Sequence, residues 1–160
     1  MNGPFFFIVD CGAGGGARRL WPFFESRLKK AGVEYRWRAA ASPEDFARLC
    51  ERVDEEWIPV AVGGDGALQA LAAAAPPGRT IAHLPAGGPT DFARSVGISR
   101  APARALEQLL AGRARPIDLP VANGRPFLGV AGVAFGSLAT FFGPGTRRRS
   151  TWIEHLAGIT

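Results

Sequence analysis

Lysine is almost missing from this 160-residue chain. Of its 19 basic residues only Lys29 and Lys30 are lysines, leaving 17 arginines against 14 acids and a formal charge of +5. That balance favours anionic partners such as nucleotide phosphates, acidic lipid headgroups or nucleic acid, although much of the arginine equally suits solvated surface. A Walker A loop is absent, since no glycine is followed by Lys-Ser or Lys-Thr. Cysteine is scarce too: Cys11 and Cys50 stand alone, with no metal-ligand spacing, which excludes a disulfide framework and suggests a reducing, cytosolic setting. No apolar run approaches the ~18 residues of a membrane span. The start has no basic stretch and only five consecutive apolar residues, Phe5 to Val9, too few for a secretory leader. A cytoplasmic protein is expected, with any membrane role peripheral. His83 and His155 have no ligand cluster around them, and no specific nucleic-acid motif is present.

What is abundant is glycine and proline. The 21 glycines and 13 prolines make up about a fifth of the chain, against a usual ~12%, without any collagen or linker period. They must mark particular loops. The hydrophobic content of 47% is ordinary for a globular domain, and at this length folding buries roughly 70% of the unfolded chain's surface. Phe5 to Asp10 reads as a buried strand, followed by a loop from Cys11 to Gly16 and a helix from Ala17 to Ala31 with Pro22 in its first true turn. Val33 to Ala39 is a second strand. Ser42-Pro43-Glu44-Asp45 opens a helix reaching about Val53. Ile58 to Val62 is a third strand, then comes an Ala/Leu helix over Ala67 to Ala75. Thr80 to Leu84 is a fourth strand, followed by a short helix opened by Thr90-Asp91 and another over Pro102 to Leu110. Beyond Pro116, Ile117 to Ala122, the Asn123-Gly124 turn and Phe127 to Phe135 read as an antiparallel hairpin.

Strand, loop and helix repeated four times imply an α/β, Rossmann-like, three-layer fold: a parallel sheet with helices on both faces, followed by the start of an antiparallel region. Residues 1–114 are expected to form a nucleotide-binding domain and residues 115–160 a β-hairpin region. Three of the four strands end in glycine-rich loops, at the edge of the sheet where ligands bind. Glycine lets backbone N–H groups approach phosphate oxygens, and the following helix N-terminus supplies a favourable dipole. Gly12-Ala13-Gly14-Gly15-Gly16-Ala17 fits the Gly-x-Gly-x-x-Ala dinucleotide fingerprint. The fingerprint's acid is expected near the end of the second strand, where Glu34 falls too early; Arg36 and Arg38 would instead suit a 2′-phosphate. An NAD(P)-binding Rossmann domain therefore stays open.

The stretch Pro59-Val60-Ala61-Val62-Gly63-Gly64-Asp65-Gly66-Ala67-Leu68 resembles the Gly-Gly-Asp-Gly motif of the diacylglycerol, sphingosine and NAD kinase superfamily. Pro85-Ala86-Gly87-Gly88-Pro89-Thr90-Asp91-Phe92-Ala93-Arg94 is similar to the diacylglycerol kinase motif Pro-x-Gly-Thr-x-Asn-Asp-Phe-Ala-Arg. Asp10-Cys11-Gly12-Ala13-Gly14 sits where the lipid kinases carry Asn-Pro-x-Ser-Gly. Ile117-Asp118-Leu119 with Phe127 to Gly136 resembles the first strands of the family's β-rich second domain.

The resemblance implies an ATP- and Mg²⁺-dependent lipid kinase that phosphorylates a diacylglycerol-type hydroxyl at a membrane surface. Gly63, Gly64, Gly66 and Ala67 would cradle phosphates, together with Gly12, Ala13, Gly14, Gly87, Gly88 and Thr90. Asp65 would place the metal or activate the acceptor, and Asp91 would support metal or phosphates from the neighbouring loop. Departures are visible: Ala67 stands for Thr, Ala70 for Glu, Gly88 for Thr, Thr90 for Asn and Asp10 for Asn, while Pro89 removes an N–H donor. They motivate a second reading, a nucleotide-binding or interaction protein of the same fold without transfer. Asp65 also suits an N-cap for the 67–75 helix, and Thr90-Asp91 a simple helix start. Arg147 to Arg149 beside Trp152 would suit an anionic bilayer surface or a solvated face. A homodimer is left open.

Overall fold

The computed structural model describes residues 3–12 and 15–129. Its core is set by alternation along two strands. β1 (Phe5–Asp10) sends Phe5, Phe7 and Val9 into one apolar cluster and Ile8 into another, because successive strand side chains point to opposite faces. The third strand in the chain, β3 (Ile58–Gly63), does the same with Val60 and Val62 against Ala61. Strands apolar on both faces need cover on both. They take the centre of a wholly parallel sheet. Its edges are β2 (Tyr35–Ala40) beside β1 and β4 (Ala82–Pro85) beside β3, giving the order β2-β1-β3-β4. Pro59 precedes the first β3–β4 pair, Val60 with Ala82, which is why a proline is tolerated there.

Helices cover both faces. α1 (Gly16–Lys30) buries Ala17, Trp21, Phe24 and Leu28, one stripe at helical spacing. α5 (Pro102–Leu110) adds Ala105, Leu106 and Leu109 to the same cluster. On the opposite face α2 (Pro43–Glu51) contributes Phe46 and Cys50, and α3 (Asp65–Ala74) contributes Ala67, Leu68 and Leu71. The short α4 (Asp91–Ser95) follows β4. α2 begins as its sequence demands: Ser42 Oγ accepts the Asp45 N–H at 3.2 Å, and Asp45 accepts the Ala41 N–H at 2.9 Å.

Three local expectations change. Pro22 is not in the first turn of α1 but is its seventh residue. Ala17 and Trp21 bury ahead of it, and Gly15 at φ 59° turns the chain straight into the helix, so packing extends the helix upstream of the proline. α3 starts at Asp65 rather than Ala67. The hairpin is shorter than its pattern: β5 (Val121–Ala122) pairs antiparallel with β6 (Arg125–Pro126) across Asn123 and Gly124, at φ 48° and 74°, as a type I′ turn requires. The expected residues 130–135 of the second strand, Arg147 to Arg149, Trp152 and His155 lie outside the described residues. Among the described residues no helix is long and apolar enough to cross a membrane.

Candidate nucleotide site

β1 and β3 are neighbours in the sheet, yet the chain visits the edge strand β2 between them. That reversal opens a crevice beyond the carboxyl ends of β1 and β3, the usual ligand position in such sheets. Loop 10–16 leaves β1, loop 63–66 leaves β3, and loop 85–90 leaves β4 beside it. The three are packed backbone to backbone. A Cβ on Gly16 would stand 2.6 Å from the Gly87 Cα, and one on Gly64 would stand 2.8 Å from the Pro89 carbonyl oxygen. Glycine is required at both places simply to let the loops meet, before any ligand is considered.

Asp65 fastens this rim. Its N–H donates to the Pro89 carbonyl at 2.8 Å, and its carboxylate accepts the Asp91 N–H at 2.8 Å and the Phe92 N–H at 3.3 Å. It therefore caps α4, the helix of the next loop, and not its own helix, whose N-cap is Gly64 without a side-chain bond. The N–H groups of Gly64, Gly66 and Ala67 donate to no acceptor among the described residues. They head the first turn of α3, where N–H groups and the helix dipole favour an anion.

The other candidates are spread around the rim. Gly12 donates to the Asp10 carboxylate at 2.9 Å; Ala13 and Gly14 lie outside the described residues. Thr90 is buried, and its Oγ1 has no partner among the described residues. Asp91 turns its side chain outward: it is 78% exposed and pairs with Arg94 at 3.3 Å, so its carboxylate is engaged by Arg94 while its N–H is held by Asp65. Only the Asp91 backbone reaches Asp65. Asp10 is half-buried behind Gly63, and burial pushes its carboxyl up from the ordinary range, partly offset by the Gly12 N–H. Burial likewise raises the thiols of Cys11 and Cys50, so neither is an activated nucleophile. Among the described residues no three His, Cys, Asp or Glu side chains gather as a metal site. A concavity of about 550 Å³ lies at the opposite, amino end of the sheet around Trp57, Pro76 and Arg79. There Arg79 braces the carbonyls of Asp54 and Trp57 at 2.6 and 2.8 Å, a structural use. Arg36 lies over the Trp57 ring at 4.3 Å, toward that same end, and so is badly placed for the 2′-phosphate role its spacing suggested.

Residues 4–122 match the sequence profile of the diacylglycerol kinase catalytic domain. This chain belongs to that family. Over 117 residues it is 42% identical to a Pseudomonas aeruginosa (strain UCBPP-PA14) protein named "Probable lipid kinase YegS-like", covering 70% of this chain and 38% of that one. A diacylglycerol kinase of Bacillus subtilis (strain 168) is 36% identical over 112 residues, 66% of this chain and 37% of its own length. The crystal structure of a diacylglycerol kinase from Bacillus anthracis str. Sterne shares the fold at a TM-score of 0.65 and 20% identity, over 79% of this chain and 46% of that one. The chain thus spans less than half the length of these relatives. Within the family frame, two residues support the site: His83, whose place in an apolar strand without a ligand cluster already suits a structural role, and Gln69, whose partners the sequence did not indicate. His83 Nε2 lies 3.1 Å from the Gly63 carbonyl; since a carbonyl only accepts, that nitrogen carries the proton. Burial keeps the ring's pKa below its ordinary value. Gln69, on α3, bonds to the backbone of Pro126 and Leu128. Nothing local marks these partners, because they lie 20 residues away for His83 and 57 and 59 for Gln69.

Proposed function

We propose that the chain is the nucleotide-binding part of an ATP-dependent lipid kinase. Residues 1–114 take ATP with Mg²⁺, and residues 115–160 begin the part that presents a diacylglycerol-type hydroxyl at a bilayer surface, where the protein docks peripherally. The observation that carries this reading is the rim made by Asp65, which ties the loops of β3 and β4 together beneath the open N–H groups of Gly64, Gly66 and Ala67. Phosphoryl transfer asks mainly for positioning and charge neutralisation, and a rim of fixed N–H dipoles supplies both. Gly12, Gly63, Gly87, Gly88 and Thr90 lie on the neighbouring loops, and Ala13 and Gly14 would add their N–H groups to the cradle.

Mg²⁺ would neutralise charge on the phosphates and keep much of its water shell. Asp65 fits such an ion as a single carboxylate: its two oxygens take the N–H groups of two residues, and a carboxylate has about four acceptor positions. With no carboxylate cluster among the described residues, Asp65 would hold an ion that is already bound to the nucleotide's phosphates. Asp91 joins from the surface, where an exposed ion pair with Arg94 restrains it little. The test is calorimetric titration with ATP, with and without EDTA. Mg²⁺-dependent binding is expected, weakened at least about tenfold in Asp65→Asn because the rim hydrogen bonds lose their charge assistance and the ion would lose its anionic ligand. No binding of ATP or ADP at about millimolar concentration, corresponding to ~4 kcal/mol, would remove the mechanism.

A second reading is favoured by one feature of the geometry: the Asp65 carboxylate is already committed to two backbone N–H groups, while Ala67, Ala70 and Thr90 lack the family's usual side chains. It is a nucleotide-binding protein without transfer. Thermal stabilisation by ATP with no phosphate transferred to any lipid, even with a complete downstream domain supplied, would support it. Robust transfer would sink it.

A further inference from the structure

One turn beyond Asp65, α3 makes a second connection. Gln69 stands four residues further along, on the same side of the helix. Its Nε2 donates to the Pro126 carbonyl at 2.7 Å, and its Oε1 accepts the Leu128 N–H at 2.5 Å. The orientation of the carboxamide is fixed by its partners, since one can only accept and the other only donate.

The pattern of these bonds is that of a missing strand. On the inner side of the hairpin Phe127 donates to the Pro120 carbonyl at 2.9 Å. Alternation turns the Pro126 C=O and Leu128 N–H to the outer side, where another strand would normally pair. The Gln69 carboxamide, chemically a peptide group, occupies that place. The Leu128 side chain meanwhile packs against the cluster beneath α2 and α3, so backbone and side chain are held by the same helix.

We propose that Gln69 is a positioning residue that fixes the outgoing chain at residues 126–128 to the helix whose first turn heads the phosphate rim. The chain leaving the domain then takes its register from α3, and whatever steadies the first turn of α3 steadies residues 126–128. The link to the rim rests on the nucleotide reading above; the clamp itself does not.

Amide hydrogen exchange on the full 160-residue chain tests it. In Gln69→Ala the Leu128 amide should exchange about tenfold faster, the worth of one lost bond to a partly buried N–H, while Val62 in the sheet stays unchanged. Gln69→Glu keeps an acceptor for Leu128 but turns an oxygen toward the Pro126 carbonyl, so its acceleration should be smaller. Saturating Mg·ATP should slow Leu128 exchange in the native chain and not in Gln69→Ala. Equal Leu128 rates in native and Gln69→Ala would overturn the clamp. So would equal acceleration at Val62 and Leu128 in both variants, which would mean general loosening, while ATP binding that leaves native Leu128 unchanged would overturn the link between the clamp and the rim. Failure of ATP to bind at all counts against the nucleotide reading, and the exchange contrast in the ligand-free chain still judges the clamp.

Discussion

Asp10 and His83 stand on either side of Gly63, and burial shifts them in opposite directions. The Asp10 carboxyl is raised by burial, so the folded chain holds that proton more tightly than the unfolded one, and this group's contribution to stability falls as pH rises through the raised value. Asp10→Asn is therefore expected to increase the melting temperature at pH 7. The gain should shrink as pH drops toward the ordinary carboxylate value of about 4, which a series of melts between pH 4 and 8 checks. The same substitution removes a negative charge beside the proposed phosphate position and should tighten ATP. His83 works the other way: burial lowers its pKa, the folded state binds fewer protons than the unfolded one, and stability is lost as pH falls below about 6.5. His83→Gln keeps a donor for the Gly63 carbonyl without titrating, so the acid side of the stability curve should flatten below that pH. An unchanged acid limb would remove His83 as its cause. Asp65 belongs to this scale too. Its residue type and motif were legible in the sequence, but its partners, the N–H groups of Asp91 and Phe92, lie 26 and 27 residues on and were not.

At the scale of elements, the loops after β1, β3 and β4 act as one unit. Gly87 at φ 78° faces Gly16, and a Cβ there would meet the Gly16 Cα at 2.9 Å. Gly87→Ala combines a backbone penalty with a clash against main chain, neither of which a side-chain rotation relieves. A loss of about 1–3 kcal/mol in denaturant unfolding is expected, together with weaker ATP binding. Gly78→Ala, at φ 81° but with open space around it, serves as the control for strain without contact. A similar loss in both would show that the loop contact contributes nothing. The element order, the alternation of β1 and β3 and the apolar stripe of α1 follow from local pattern. Helix boundaries did not: packing of Ala17 and Trp21 carried α1 upstream of Pro22, and Gly64 rather than Asp65 became the cap of α3.

For the molecule as a whole, nucleotide binding should appear as stability. At a free ATP concentration of 100 times Kd, linkage gives about 2.7 kcal/mol, near 5–10 °C in melting temperature for a domain of this size. EDTA should cut that shift, and NADP at the same concentration should give less of it, since Arg36 rests on Trp57 away from the rim. A larger shift with NADP would restore the dinucleotide reading. What the sequence determined by itself was the architecture and the family: hydrophobic period and glycine position are local properties, and two motifs of fixed spacing survive in the linear chain. What only the tertiary structure decided was how those residues are spent. Gly16 and Gly87 serve the contact between loops, the Asp65 carboxylate caps the neighbouring helix, Asp91 turns to solvent, and Gln69 takes the place of a strand. Each of these depends on a partner far along the chain, and the approach of such partners is set by packing across the whole sheet rather than by any neighbouring residue.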